Sequence, residues 1–295
     1  MRGHEEVWIK LDFRYYDLAG ETASQRIDTL FPEWGTGNEV VAVFSPHDDD
    51  AILGVGHLIQ AVSTAGGVPY VFIYCKGDAG YSTAKEKDKI VKMRLEESKS
   101  AYQVLGVDES HIIRFNYPDF SVRQHMGRVR TSGDDGTFSQ TIRALRKIRV
   151  TRLVLPNTYR EHADHEAVGD IGLFDGPQVG DKILADWGEP SPISTFLQYT
   201  VWANFGPEDA LISGRNLQIR ANRALTAPAE AEEVVATALD EFNSQRQIIH
   251  DLLDARKARR YGTRYLELYK AIDPRPRLEF RPYIELLASI DRVVV

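Results

Sequence analysis

The sequence lacks the features that mark proteins of oxidising compartments. Cys75 is the only cysteine among 295 residues, so no disulfide can form within the chain. Small secreted domains commonly depend on disulfides, whereas cytoplasmic thiols stay reduced. The N-terminal stretch MRGHEEVWIKLDFRYY has no continuous apolar core of the kind found in signal peptides. We therefore expect a cytoplasmic location.

Long apolar runs and an excess of basic residues are also missing. A run such as VPYVFIYC (68–75) is far shorter than the roughly 18 apolar residues that suggest a transmembrane helix. The formal net charge is −7, which disfavours nucleic acid and anionic membranes as partners. We expect neither a membrane span nor a nucleic-acid partner.

Short apolar runs alternate with helical patterns from residue 38 onward. EVVAVFS (39–45) is typical of a buried strand, and AILGVGHLIQAVSTAG (51–66) has helical spacing before a Gly-Gly stop. The same alternation continues through strand patterns at 68–75, 111–116 and 151–156 and helical patterns at 83–106 and 139–149. Repeated βαβ units predict a Rossmann-like α/β fold, with a mainly parallel sheet flanked by helices.

The alternation of strand and helix patterns ends near residue 190. STFLQYTVW (194–202) and NLQIRA (216–221) look like strands with no helix between them, which predicts a C-terminal strand pair. Residues 228–260 predict one long helix. Residues 1–38 carry several aromatic side chains and are expected to pack on a main domain that spans 39–295.

An unusual acidic run follows the first strand of the alternating region. It reads His47-Asp48-Asp49-Asp50 and precedes an apolar helical segment. Ligands of open α/β sheets bind at the carboxyl ends of strands, where this run lies. Asp49 or Asp50 could cap the next helix, but capping explains a single aspartate and leaves His47 unexplained.

A second polar cluster follows the fourth strand. PNTYREHADHEAVGD (156–170) holds His162, Asp164 and His165. Because the carboxyl ends of parallel strands converge, both clusters together predict a divalent-metal site. His47, one aspartate of the run and His165 would form a set of two histidines and one carboxylate. A remaining aspartate could accept a proton, and a remaining histidine could stabilise an oxyanion or protonate an amine.

These segments resemble the LmbE-like or PIG-L-type zinc N-deacetylases, which remove acyl groups from N-acetylglucosamine-type amides. The family motif His-Pro-Asp-Asp-Glu stands here as HDDDA (47–51), and His-Pro-Asp-His stands as HADH (162–165). KGDAG (76–80), RLEESKSAYQVLG (94–106) and ALDEFNSQ (238–245) also resemble family segments. The resemblance implies zinc ligands at His47, Asp50 and His165 and a general base at Asp49. It also implies that His162 assists the tetrahedral intermediate.

The resemblance assigns further residues around this centre. It implies that Asp164 orients a histidine and that Arg94 and Asp119 contact the substrate. Asp48 stands where the family has proline, and Ala51 stands where it has glutamate. We expect Asp48 to replace part of that missing carboxylate near the metal.

The function expected on these grounds is metal-dependent removal of an acetyl group from an N-acyl amino sugar or a related polar small molecule. Zn²⁺ is the expected cofactor, with Fe²⁺ as an alternative. One alternative is an Fe(II) oxygenase, which uses the same ligand types, although the repeated βαβ pattern disfavours it. A metal-binding family member without turnover is a further alternative. The sequence leaves the acyl amide and the formation of a homo-oligomer open.

Overall fold

A computed structural model of the chain describes residues 11–35, 37–211, 218–275 and 279–294. Within this part of the chain a single sheet contains ten strands. They are β1 (Arg14–Asp17), β2 (Thr22–Ser24), β3 (Val40–Ser45), β4 (Val68–Cys75), β5 (Ile112–Tyr117), β6 (Arg152–Pro156), β7 (Thr195–Tyr199), β8 (Arg223–Pro228), β9 (Arg260–Tyr261) and β10 (Arg264–Ile272).

The α-helices lie between and after these strands. They are α1 (Asp50–Thr64), α2 (Ile90–Val104), α3 (Thr137–Ile148), α4 (Ala163–Phe174), α5 (Ala229–Asp240), α6 (Arg246–Arg256) and α7 (Arg281–Val294). None of the described helices combines the length and the apolar character needed to cross a bilayer.

The sheet has a parallel half and an antiparallel half. Its strand order is β2-β1-β8-β10-β7-β6-β3-β4-β5, with β9 beside β10. Strands β7, β6, β3, β4 and β5 are parallel, and the other pairings are antiparallel. From β3 the chain moves outward through β4 and β5 and then returns to β6 on the other side. This reversal creates a crevice at the carboxyl ends of β3 and β6, the usual ligand position in such folds.

The predicted mixed α/β class, with helices covering the central sheet, is confirmed. Strand β3 shows why, because its side chains alternate between two apolar cores. Val41 and Val43 pack in the core that includes α1, α2 and α5, while Ala42 and Phe44 pack in the core that includes α3 and α4. A strand buried on both faces is expected to be continuously apolar, as EVVAVF is.

The predicted C-terminal strand pair is wrong. Residues 216–217 of its second strand lie outside the described residues, and 218–221 form no strand. The next strand along the chain is β8, which pairs with β1 and β10. Strand β7, the first strand of the predicted pair, is joined to β10 instead. Strand pairing here is set by contacts between segments distant in sequence, which the local apolar pattern does not encode.

The predicted long helix over 228–260 is also wrong, because it is interrupted between α5 and α6. Phe242 is buried and non-helical, and a short 3-10 turn spans Asn243–Gln245. The break is held from α2, where the Glu97 carboxylate accepts hydrogen bonds from the Ser244 backbone N–H at 2.8 Å and from its hydroxyl at 2.6 Å. This tertiary contact overrides a sequence that favours continuous helix.

The two ends of the described chain differ in how they pack. Strand β1 pairs with β8, and the Pro32 and Glu33 carbonyls accept hydrogen bonds from Arg152 at 2.8 and 3.1 Å. The division of the chain at residue 38 stays a prediction. At the other end α7 exposes apolar side chains, including Ile284 and Leu287.

Candidate metal centre

The acidic run forms a tight turn between β3 and α1. The Asp50 carboxylate accepts hydrogen bonds from the His47 backbone N–H at 2.8 Å and lies 3.0 Å from His47 Nδ1. Ser45 fixes the same turn, since its hydroxyl donates to the His47 carbonyl at 2.5 Å and accepts from the Ala51 N–H at 3.0 Å. Asp49 occupies the N-cap position of α1, but its side chain makes no capping hydrogen bond. Its carboxylate is therefore free for another role.

The second motif approaches this turn from the carboxyl end of β6. His162 caps α4, with Nδ1 accepting a hydrogen bond from the Asp164 N–H at 3.1 Å. His165, in the first turn of α4, places Nε2 3.1 Å from Asp50 Oδ2. One ligand atom from each of His47, Asp50 and His165 lies within 4.8 Å of the others. The structure thus brings the three predicted metal ligands together.

The donor atoms of this cluster fit a divalent ion. His165 is fully buried, and its Nε2, although 3.1 Å from Asp50 Oδ2, makes no well-directed hydrogen bond within the described part of the chain. A buried polar atom without a partner is costly unless something satisfies it. His165 Nδ1 lies 2.9 Å from Glu161 Oε2, a contact that directs Nε2 toward the cluster. Neutral imidazole and ionised carboxylate are ligands that zinc and iron both accept.

Electrostatics also favour a cation between these groups. Burial alone would lower the pKa of His165, but the nearby Asp50 charge and the close contacts with the Asp50 and Glu161 carboxylates raise it to about 9. Burial opposes a similar rise at His47, where hydrogen bonds to Asp164 and Asp50 hold the pKa well above its usual value. Burial would raise the pKa of Asp50, but the neighbouring histidines lower it well below its usual range. The carboxylates therefore attract positive charge to this point.

Glu161 was not predicted as a site residue, yet it contacts His165 on the side of the ring that faces away from the cluster. Its side chain is fully buried. Besides the contact with His165, Glu161 Oε1 accepts hydrogen bonds from the backbone N–H groups of Val201, Trp202 and Ala203 at 2.8, 3.1 and 3.1 Å. It therefore ties the loop after β7 to His165. Its position directly before the HADH motif is the one sequence feature that could have indicated this role.

Asp164 has the corresponding role beside His47. Its Oδ2 lies 3.3 Å from His47 Nε2. The same carboxylate accepts hydrogen bonds from the backbone N–H of Phe120 at 2.6 Å and of Val122 at 3.3 Å. Its expected role in orienting a histidine stays a prediction. His47, His162 and Asp164 also form a second possible ligand group.

Asp49 lies beside the ligands but points elsewhere. Its Oδ1 is 3.5 Å from Arg94 Nη2. Burial raises the pKa of Asp49, and the nearby Arg94 charge only partly offsets that rise. A carboxylate with a raised pKa is a better proton acceptor than an ordinary aspartate.

Asp48 has a different position from the one expected. It is fully buried, with Oδ2 3.2 Å from Arg94 Nε and Oδ1 in contact with Arg114 Nη1. Both oxygens are thus taken by arginines, so Asp48 does not substitute for the family glutamate near the metal. It anchors both arginines, and no sequence pattern singles out Arg114 as a partner.

The remaining predicted residues line the same end of the sheet. Asp119 accepts hydrogen bonds from the backbone N–H groups of Gly77 and Ala79, both at 2.9 Å, so it fixes the loop after β4. Its contact with substrate stays a prediction, as does that of Arg94. The His162 ring lies 4.9 Å from the His47 ring, and burial together with the His47 charge lowers the pKa of His162.

Comparison with known proteins finds a similarity to one family around this centre. A family model described as "PIG-L: GlcNAc-PI de-N-acetylase" matches residues 42–173, a span that includes both polar motifs. The PIG-L match thus covers residues 42–173, somewhat less than half of the chain. The predicted resemblance is confirmed at this level.

A curated relative of the PIG-L domain is the diacetylchitobiose deacetylase of Thermococcus kodakarensis. It is 22% identical over 166 residues, which cover 55% of this chain and 58% of the relative. The match thus spans little more than half of that protein's length.

Solved structures share the fold at low identity. The N,N'-diacetylchitobiose deacetylase of Pyrococcus horikoshii has a TM-score of 0.61 at 18% identity, covering 84% of this chain and 88% of that one. A conserved protein of Thermus thermophilus also has a TM-score of 0.61 at 18% identity, covering 81% and 97%. The 4-carboxy-2-hydroxymuconate hydratase of Pseudomonas putida reaches 0.57 at 14% identity, covering 82% and 99%. Because a hydratase shares it, the fold alone does not specify the reaction.

Proposed function

We propose that the protein is a metal-dependent N-deacetylase that acts on an N-acyl amino sugar or a related polar small molecule. The observation that carries the proposal is the cluster of His47, Asp50 and His165, of which Asp50 and His165 are buried, within the stretch 42–173 that matches the PIG-L family model. The deacetylase relative favours amide hydrolysis over the hydratase reaction of the structural neighbour.

The ligand set defines what the bound ion would contribute. A divalent ion held by His47, Asp50 and His165 would lower the pKa of a coordinated water to about 7 and polarise the amide carbonyl. Zn²⁺ is the proposed ion and Fe²⁺ its competitor, since both accept these ligands.

Asp49 is the proposed general base. It lies next to Asp50 in the chain, its side chain makes no capping bond, and its pKa is raised by burial. It would accept a proton from the attacking water and pass that proton to the amine nitrogen as the C–N bond breaks. The products are then the free amine and the carboxylic acid.

His162 is proposed to stabilise the oxyanion. Its Nδ1 accepts a hydrogen bond from the Asp164 N–H, so the neutral ring carries its proton on Nε2. That Nε2–H can donate to a developing negative charge. The lowered pKa of His162 keeps the ring neutral at neutral pH. Donation to the oxyanion is thus better supported than protonation of the amine.

An amine-release assay tests the proposal. The protein is freed of metal with a chelator, reloaded with Zn²⁺ or Fe²⁺ and offered N-acetylglucosamine, diacetylchitobiose and N-acetylated amino acids. We expect release of free amine and acetate from the sugars, loss of release in the chelated protein, and recovery on reloading. Turnover that requires Fe²⁺, O₂ and an oxoacid would support the oxygenase alternative, and bound metal without any turnover would support an inactive member.

The cytoplasmic location stays a prediction that rests on the single cysteine. Whether the chain forms a homo-oligomer is not specified by the site, since every residue of the proposed centre comes from one chain.

A further inference from the structure

Two large aromatic side chains are exposed beside the metal centre. The Phe120 side chain is 66% exposed and that of Trp202 is 54% exposed. The Phe120 ring lies 4.5 Å from the ring of His162, and the Trp202 ring lies 5.3 Å from that of His165. One exposed aromatic ring therefore flanks each of the two histidines of the HADH motif.

The backbone of Phe120 is held in a strained conformation. Its φ is +60°, in the left-handed region that residues other than glycine rarely adopt. The hydrogen bond from its N–H to Asp164 at 2.6 Å holds this conformation. Strain maintained by surrounding contacts is common at ligand-binding sites. The fold keeps a disfavoured conformation where it gains no burial of the side chain.

The backbone of Trp202 is likewise held by a hydrogen bond to a buried carboxylate. The backbone N–H of Trp202 donates to Glu161 Oε1 at 3.1 Å, and Glu161 Oε2 lies 2.9 Å from His165 Nδ1. Asp164 links the Phe120 backbone to His47 in the same manner, through a contact of 3.3 Å with Nε2. On both sides, one buried carboxylate positions an aromatic residue and a ligand histidine together.

We propose that Phe120 and Trp202 form the two side walls of the substrate cleft and pack against the C–H faces of pyranose rings. An aromatic face is electron-rich, and C–H groups of a sugar ring present the complementary positive edge. The proposal rests on the proposed function and narrows its substrate class to carbohydrates. It assigns specificity to these rings, whereas the reacting amide is handled by the metal centre.

The test uses ring-deleting and ring-keeping variants of the metal-loaded, full-length protein. Phe120→Gly removes the ring and also accepts the positive φ, so it relieves strain. Phe120→Tyr keeps the ring, and Trp202→Leu and Trp202→Phe are the matching pair. Phe174 is 69% exposed at the opposite end of α4, and Phe174→Leu is the control. Metal content is measured for each variant to show that the centre is intact.

The readout is a ratio of kcat/KM for diacetylchitobiose and for N-acetylethanolamine, an amide without a ring. We expect Phe120→Gly and Trp202→Leu to lower this ratio about tenfold, mainly through KM for the sugar, which corresponds to the loss of one aromatic contact. Phe120→Tyr, Trp202→Phe and Phe174→Leu should keep the wild-type ratio. An unchanged ratio in the ring-deleting variants, or an equal loss on both amides, would overturn the inference.

Direct binding separates this inference from the proposed function. Saturation-transfer NMR with glucosamine oligomers measures contact of the sugar C–H protons with the metal-loaded protein. If the wild type binds the sugar but releases no amine, the proposed function fails. Loss of sugar binding in Phe120→Gly and Trp202→Leu would in that case still support the role of the two rings as walls of the cleft. Absence of sugar binding to the wild type, or full binding by both variants, contradicts them.

Discussion

Glu161 is the residue whose removal most directly tests how the centre is supported. Its carboxylate contacts His165 Nδ1 at 2.9 Å and accepts three backbone hydrogen bonds from residues 201–203. Carboxylates that orient a ligand histidine typically contribute about 10- to 100-fold to metal affinity. We expect Glu161→Gln to weaken Zn²⁺ binding by about that factor, measured by competition with a chelator of known affinity.

Glu166 provides the matched control for that experiment. It lies in the first turn of α4, just after Glu161 in the chain, but its side chain is 46% exposed and its carboxylate is 3.6 Å from Arg123. Glu166→Gln should bind Zn²⁺ as the wild type does. Equal affinity in both variants would remove Glu161 from the account of the centre.

Asp48 tests the buried charge cluster beside the site. Its two oxygens contact Arg94 and Arg114, and it has no exposed surface. Removing one partner of a buried ion pair leaves an uncompensated charge and costs about 3–5 kcal/mol. We expect Asp48→Asn to lower the free energy of unfolding by about 3 kcal/mol or more in urea titrations.

A pair on the surface gives the comparison for Asp48. Asp135 contacts Arg143, and both side chains are more than 40% exposed. Exposed pairs contribute about 0–1 kcal/mol because water screens them. Asp135→Asn should therefore cost less than about 1 kcal/mol, and a loss as small in Asp48→Asn would show that the buried cluster does not stabilise the fold.

At this scale the sequence predicts which polar side chains lie close together, but not the residues that support them. His47, Asp50 and His165 stand in two short motifs at equivalent strand ends, so topology alone brings them together. Phe120 and Trp202 lie in loops whose conformations depend on Asp164 and Glu161. No local pattern encodes such contacts.

The packing of α1 on the sheet can be tested through a glycine. A Cβ added at Gly54 would lie 2.3 Å from Cδ2 of Tyr199, a buried ring whose hydroxyl donates to the Phe44 carbonyl at 2.8 Å. Overpacking of a core costs about 1–3 kcal/mol, and the better helix propensity of alanine offsets up to about 1 kcal/mol of this. We expect Gly54→Ala to have a net destabilising effect in urea unfolding.

Gly35 is a suitable control for this substitution. A Cβ there would have only Glu39 Oε1 within 4 Å, at an ordinary contact distance of 3.4 Å. Gly35→Ala should change stability by less than about 0.5 kcal/mol. If Gly54→Ala were equally neutral, α1 would not be packed as closely on Tyr199 as the structure has it.

Elements with a strong local signal were predicted, and those set by distant contacts were not. EVVAVF has the continuous apolar character of β3, and β6 follows a clear helical pattern. The break between α5 and α6 depends on Glu97, which lies in another helix. The position of β10 between β7 and β8 likewise depends on partners far away in the chain.

The stability of the whole molecule should fall in acid because of two buried carboxylates. Burial would raise the pKa of Glu232, but hydrogen bonds from Arg256 and His57 lower it to about 2. Burial is likewise outweighed at Glu39, where Arg152, Thr151 and Gly35 lower the pKa to about 2. A pKa below the unfolded value of about 4.5 stabilises the fold above pH 4.5. That contribution is lost as pH falls from about 4.5 toward 2.

Urea midpoints measured at pH 7 and pH 3 check this dependence. Glu232→Gln should be less stable than the wild type at pH 7. The difference should shrink at pH 3, where the unfolded wild type gains stability by protonating this carboxylate while the folded state still holds it mostly ionised. Glu230→Gln, at an exposed position of the same helix, should follow the wild type at both pH values. A gap between Glu232→Gln and the wild type that is the same at both pH values would contradict the assignment.

The division of roles within HDDD is the central claim. Asp50 is proposed to hold the metal, while Asp49 is proposed to accept the proton. We therefore expect Asp49→Asn to keep the Zn²⁺ stoichiometry of the wild type and to lose about 10²–10⁴-fold in the rate of amine release. Asp50→Ala should instead lose the metal. Full amine release by Asp49→Asn, measured on protein with confirmed metal content, would contradict the account.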